Sequence, residues 1–419
     1  MRLGLVLLLS LSAVFCAAAT MDLSGDWKVV LDRENRGGEQ TWFASELKDA
    51  RPVHLPGSLQ EQGLGDKPSA KTAWTTRIGK ELLSDPRFQS YIQSEDFKSP
   101  FWLTPLRHYV GAAWYQRTIT LPNKAHSIFL ERPHGKTTVW VDDIKLGSCD
   151  SLGTPHEYDI RGIQPGQHRL TICVDNRVGV PVGDDAHSVS DQTQSNWNGI
   201  VGRIEVTSCE DNDPWVFDDV QVYPDIQANT ITVRVDMENA QGLREGKLTA
   251  SVQAVDADKP QALPEQIIPV SLKDKQTRIE FTYAMGKEVR LWDEFSPNLY
   301  TLKLQFEQIP RQGEPSRSLY QTTFGMRELG VKGTQFTING RTLFLRGTLE
   351  CCIFPLTGYP PTDVESWKKI LRVCKAYGLN HIRFHSWCPP EAAFAAADAM
   401  AANFGLSGWV ARTTEQKEA

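Results

Sequence analysis

Four residues in the last quarter of the chain combine types and positions that could do chemistry: Glu350, Arg383, His385 and Trp387. They offer a carboxylate, a guanidinium, an imidazole and an indole face, a set suited to proton transfer, hydrogen bonding and stacking. Leu343-Phe-Leu-Arg-Gly347 predicts a short buried strand, with Glu350 following it. Thr362-x-x-Glu365 has the spacing of a capping box, and Val364, Trp367, Leu371 and Cys374 then share one helical face that stops at Gly378. His381-Ile-Arg-Phe-His385 predicts a second strand, and Pro389-Pro390 opens an alanine-rich helix through Met400. Strand, helix, strand, helix is the start of a parallel βα array, and such arrays place their chemistry at the carboxyl ends of the strands.

Each of the four also has a plainer reading. Arg383 suits a structural residue buried with a carboxylate partner. Trp387 suits packing as well as stacking, Glu350 suits a solvated loop carboxylate, and His385 suits either a ligand contact or a satisfied loop histidine.

The segments that must position these residues are β-rich. From Asp22 to about Cys209 short strands alternate with Gly, Pro, Asn and Asp turns, as in His168–Asp175, where Leu170, Ile172 and Val174 alternate with Arg169, Thr171 and Cys173. No amphipathic helix is predicted there, and a jelly-roll β-sandwich is the expected outcome. Trp27, Trp114, Trp140 and Trp197 are expected in its core. The polar run His187 to Asn198 reads as a loop that could reach towards the strand ends. Asp184-Asp185 is too sparse for a calcium site. A second β region from near Pro214, with Ile231, Val233 and Val235 and then Leu302, Leu304 and Phe306 alternating, suits an immunoglobulin-like sandwich. The expected division is a leader at 1–20, a jelly roll at 21–210, an immunoglobulin-like domain at 211–330, and the first part of a (β/α)8 barrel at 331–419.

The composition narrows the partners. A formal net charge of −6, spread along 419 residues, argues against nucleic acid. Arg2, the apolar run from Leu3 to Phe15 and Ala17-Ala18-Ala19 read as a cleavable export signal, with Cys16 the weaker option of a lipid anchor. No other segment is apolar enough to span a bilayer. The eight cysteines are irregularly spaced and none forms C-x-x-C, so neither a disulfide framework nor a zinc site is expected, and no cofactor is.

Several motifs in order carry a family resemblance. Leu23-Ser-Gly-Asp-Trp27, Leu55-Pro-Gly-Ser58, Gly111–Arg117, Val174-Asp-Asn-Arg177 and Asn196–Glu205 resemble landmarks of the sugar-binding jelly roll of glycoside hydrolase family 2. Leu291–Tyr300 resembles the end of that family's immunoglobulin-like domain. Phe324-Gly-Met-Arg327, Ile338-Asn-Gly340 and Phe344-Leu-Arg-Gly347 resemble the start of its barrel. The resemblance implies a retaining hydrolase of terminal β-linked sugars, with a carbohydrate partner and two glutamates on later barrel strands, the acid/base one preceded by Asn. It also implies a sugar contact for a histidine on the second strand, within an Arg-x-Ser-His-Tyr-type sequence. Here that stretch is Arg383-Phe-His-Ser-Trp387, with His and Ser exchanged.

No Asn-Glu pair follows the start of the barrel. Residues 336–419 fall well short of the ~200–250 that a closed barrel takes. Two βα units are expected, no third strand in 401–419, and no hydrolysis by this chain alone. The alternatives are a non-catalytic carbohydrate-binding protein or a fragment without function.

Overall fold

The computed structural model describes residues 19–99, 103–177, 179, 186–187, 189–191, 196–208, 217–238, 245–255, 262–272, 274–308, 317–385, 387–400 and 403–407. The leader up to Ala18, Asp184-Asp185, Cys209 and the tail from 408 lie outside the described residues. No helix among the described residues is long and apolar enough to cross a membrane.

Two antiparallel sheets build the first unit. In one, Ala19–Asp22, Gly199–Ser208, Ala125–Pro133 and His156–Asp159 lie side by side, with the short strand Gly57–Ser58 also on Gly199–Ser208. In the other the order is Arg51–Leu55, Gly25–Asp32, Ala112–Leu121, Gly166–Asp175, Lys136–Val141, Ile144–Cys149. Because side chains alternate along a strand, each sheet sends one apolar row inward. Ile128, Leu130, Ile204 and Val206 meet Val29, Tyr115, Leu170 and Ile172 in one core. Burying each such side chain contributes about 1.5–3 kcal/mol.

The sequence predicts one buried face for the strand at 166–175. In the structure its outer face is covered as well: Thr171 is fully buried and accepts a hydrogen bond from Gln116 Nε2 at 3.1 Å. The cover is the segment around Trp42–Ala50, which packs with Trp114 and Trp140. Phe43 stacks on Trp140 at 5.0 Å. A strand read by itself cannot announce a cover that comes from far upstream in the chain. All four tryptophans expected in the core are buried, but only Trp27 lies in it: Trp114 and Trp140 sit under the outer cover, and Trp197 stacks on His134. Two short helices, Arg77–Ser84 and Gln89–Ile92, interrupt the strands where none is predicted. They belong to a small separate cluster of Trp74, Leu83, Phe88, Ile92 and Phe97.

The second unit repeats the plan with seven strands. Phe217–Asp225, Thr230–Glu238 and Gln276–Ala284 form one sheet. Gln266–Ser271, Glu245–Ala254, Leu299–Gln308 and Arg317–Gly325 form the other. The predicted rows Ile231, Val233, Val235 and Leu302, Leu304, Phe306 meet in its core.

The third unit is parallel. Gly347–Glu350, His381–His385 and Asn403–Ser407 pair in that order, with the helices Val364–Ala376 and Glu391–Met400 between them in sequence. Three details differ from expectation. The first strand begins at Gly347 rather than Leu343, because Leu343 and Leu345 are drawn onto Trp292 and Ile338. The helix is capped by Asp363, which accepts from Ser366 N at 2.8 Å, one residue after the predicted cap. A carboxylate there also faces the positive helix end. The third strand exists: its sequence, Asn-Phe-Gly-Leu-Ser, has little strand character of its own, but His381–His385 offers it a full row of parallel partners.

Trp292 ties the second unit to the third. It is fully buried, donates from Nε1 to Asp398 O at 3.0 Å, and its carbonyl accepts from Asn339 Nδ2 at 3.0 Å. The Arg327 guanidinium lies 4.6 Å from its ring. Arg341 forks onto Glu294 with two contacts of 3.1 and 3.0 Å beside it. Trp292→Ala is expected to cost about 3–5 kcal/mol in urea denaturation. A loss below about 1 kcal/mol would show that this junction does not hold the two units together.

Candidate functional site

Alternation fixes what the second parallel strand presents. Ile382 and Phe384 are buried against the two helices, so His381, Arg383 and His385 face the opposite side. Arg383 is therefore exposed, not buried with a carboxylate as expected. Glu350 stands on the last position of the first strand, and its carboxylate turns back to accept from the backbone N–H groups of Cys352 (3.0 Å) and Ile353 (3.2 Å). Burial pushes its pKa above the usual carboxylate range, against those two hydrogen bonds. It is thus partly buried rather than solvated. The loop it folds carries Cys352 in the left-handed region at φ 56°, an uncommon conformation for a side-chain-bearing residue. Trp387 is buried in the helix-facing core, edge-on to Phe384 at 5.3 Å, with Nε1 donating to Glu350 O at 3.4 Å.

The first unit closes on these strand ends. His187, from the polar run between the strands Gly166–Asp175 and Gly199–Ser208, places its ring 4.6 Å from that of His385. Together with Cys351 they bring two imidazole nitrogens and one sulfur within 4.8 Å of one another. Such a set can hold a metal ion. The run carrying His187 is pinned by Asp191, whose side chain is fully buried and accepts from Thr75 N (2.8 Å), Thr75 Oγ1 (2.8 Å) and Asn196 N (2.8 Å). His108 Nε2 lies 3.1 Å from the same carboxylate. Burial alone would raise the pKa of Asp191, but the contacts with His108 and Thr75 hold it below the usual range.

Three asparagines extend this network. Asn176 Nδ2 donates to Tyr109 O and Trp197 O, and Asn198 Nδ2 to Gly111 O and Val174 O, all at 2.9 to 3.0 Å. Asn196 Oδ1 lies 2.7 Å from His134 Nε2. His134 in turn stacks on Trp197 at 4.3 Å, and Trp197 meets Tyr359 of the loop after the first parallel strand at 5.5 Å. Tyr359 donates to Glu61 Oε2 at 2.9 Å. Nearby, Arg132 donates to Cys388 O and lies over the Trp387 ring at 6.0 Å. Gly135 is required where this wall turns. Its φ is +90°, and a Cβ would sit 2.3 Å from Asp175 O.

Two β-sandwiches lead into parallel βα units, and the first sandwich meets the strand ends of those units. The description "Glycosyl hydrolases family 2" matches residues 216–327. The β-glucuronidase of Paenibacillus borealis is 23% identical over 347 residues, covering 78% of this chain and 48% of that protein. A β-galactosidase of Leuconostoc mesenteroides subsp. mesenteroides is 21% identical over 382 residues, covering 86% and 32%. Among solved structures, the Ruminococcus gnavus β-glucuronidase bound to D-glucaro-d-lactam superposes with a TM-score of 0.64 at 17% identity, over 93% of this chain and 59% of that one. The Lactobacillus rhamnosus β-glucuronidase gives 0.63 at 17%, over 93% and 58%. The chain is thereby a relative of the family 2 glycoside hydrolases. It spans about half the length of the first of these sequence relatives and a third of the second.

Of the four residues singled out from sequence, Arg383 and His385 share the face away from the helices, Arg383 exposed and His385 half-buried against His187, whereas the Glu350 and Trp387 side chains are engaged in holding the loop and core. Two participants are not legible as such in the sequence. His187 reads there as part of a plain polar loop, and Cys351 as one of several irregular cysteines. The only signal is the polar run's position just before the strand that closes the first sandwich.

The wall has an acid limit. Burial, together with the nearby Arg132 charge, outweighs the Asn196 contact and pushes the His134 imidazole down to about 4, from an ordinary 6.5. The folded state then binds fewer protons than the unfolded chain between those values, so stability is lost as pH falls through that window. The stability advantage of the wild type over His134→Gln is expected to shrink by about 3 kcal/mol between pH 7.5 and pH 4. A difference that stays constant with pH would contradict a buried neutral His134.

Proposed function

We propose that this chain is the recognition half of an exported retaining β-glycosidase of family 2. Its domains are read as a jelly roll, an immunoglobulin-like sandwich and the first strands of a (β/α)8 barrel. The protein it represents would cleave terminal β-linked sugars by double displacement, which takes two carboxyl groups about 5 Å apart. The observation that carries this reading is the convergence of His187 with His385 at the ends of the parallel strands. His385 and Arg383 are proposed as the sugar-contacting residues, with Trp387 and Glu350 setting the floor beneath them.

The same site supports a division of labour. The carboxylates described around it are engaged structurally. Glu350 folds its own loop, Asp363 caps a helix, and Glu391 lies 3.4 Å from Arg203. Glu350 and Asp363 do not stand free as acid or nucleophile, and Glu391 is an exposed carboxylate on a surface pair. We therefore infer that the catalytic pair is supplied by residues outside these 419. Purified chain is expected to release no nitrophenol from nitrophenyl β-glucuronide, β-galactoside or β-mannoside above the buffer rate. Enzyme-like turnover that is lost in Glu350→Gln would overturn the assignment of Glu350 to structure.

A non-catalytic carbohydrate-binding reading draws on a different feature. An open groove of about 560 Å³ runs over the first unit's sheet, lined by Lys28, Glu46, Gln116, Arg117 and Arg169 among others. Calorimetric binding of oligosaccharides abolished by Gln116→Ala would favour it. Binding that instead depends on His385 would return the sugar to the strand ends.

A further inference from the structure

The cluster at the strand ends has a composition that a sugar contact does not require. His187, Cys351 and His385 come from three separate stretches of chain, the first from the sandwich unit and the others from the ends of two different parallel strands. Their ligand atoms lie within 4.8 Å of one another. In a tetrahedral zinc site the nitrogen and sulfur ligands stand about 3.3–3.6 Å apart, so a contraction of about 1 Å brings these three into range. A second observation points the same way. His385 Nδ1 is buried and has no hydrogen-bond partner. A buried, unsatisfied polar nitrogen is costly, and coordination is one way to satisfy it.

We propose that His187, Cys351 and His385 form a zinc site that bridges the first unit to the parallel strands. Two imidazoles and a thiolate select a borderline-soft ion and disfavour calcium or magnesium, which take oxygen ligands. Binding removes the proton of the Cys351 thiol: the S–H bond breaks, a Zn–S bond forms, and the proton leaves to solvent. Affinity is therefore expected to fall as pH falls. Three protein ligands leave the fourth tetrahedral position to water, the arrangement of an open rather than a closed zinc site. The ion would clamp the His187 segment to the strand ends, and this role stands whether or not the carbohydrate reading does.

The test uses the full chain after chelator treatment. Titrating zinc against a chromophoric chelator is expected to give one ion per chain, bound at micromolar concentration or tighter. Cys351→Ser and His385→Ala are expected to weaken it by more than about 100-fold, since even supporting residues around a metal cost 10–100-fold. Cys374→Ser, on the helix Val364–Ala376, should change nothing. Cobalt substitution adds a readout independent of the variants: a thiolate-to-cobalt charge-transfer band in the near ultraviolet of the wild-type chain. No zinc uptake, no such band, or undiminished affinity in Cys351→Ser that retains its circular dichroism would each overturn the proposal.

Discussion

A single buried carboxylate sets the terms for the composite site. Taking Asp191 out of water costs several kcal/mol unless its lone pairs are filled, and the chain fills them with Thr75 N, Thr75 Oγ1, Asn196 N and His108 Nε2. Thr75 and His108 lie far from Asp191 in sequence, so satisfying one side chain fixes the relation between separate segments. Asp191 and Asn196 of the same polar run as His187 are thereby fixed to Thr75 and His108, and the His187 ring lies 4.6 Å from that of His385. The Asn176, Asn196 and Asn198 amides continue the same logic, each closing backbone groups that no sheet ladder reaches.

Polar contacts to backbone join the units beside the apolar cluster around Trp292. Trp292 uses its indole N–H on Asp398 O, and Arg132 uses its guanidinium on Cys388 O. A contact to a carbonyl fixes position without depending on the partner's side chain, which suits junctions that must keep geometry while loops vary. The close approach of Gly153 to Cys388, where a Cβ would stand 3.2 Å from the cysteine Cβ, belongs to the same seam. A seam built this way places an imidazole of one unit against the strand ends of another with little room for sliding.

Local pattern carries most of the architecture. The alternation of Leu170, Ile172 and Val174 and of Ile231, Val233 and Val235 predicts inward rows, and those residues lie in the two sandwich cores. The helix at Val364–Ala376 and the strand at His381–His385 follow from their own periodicity. What is not legible depends on partners distant in sequence. The cover over Thr171, the pull of Leu343 and Leu345 onto Trp292, and the third strand at Asn403–Ser407 each exist because another segment completes them. The site divides the same way. His385 is visible from its strand-end position, whereas His187 and Cys351 acquire meaning only when a loop from the sandwich meets the end of a parallel strand.

The central claim is that these three residues meet closely enough to act as one centre. X-ray absorption at the zinc edge of the metal-loaded chain tests it most directly. One sulfur at about 2.3 Å and two imidazole nitrogens near 2.0 Å in the inner shell are predicted, with light-atom scattering for water. A shell of oxygen and nitrogen alone would contradict it.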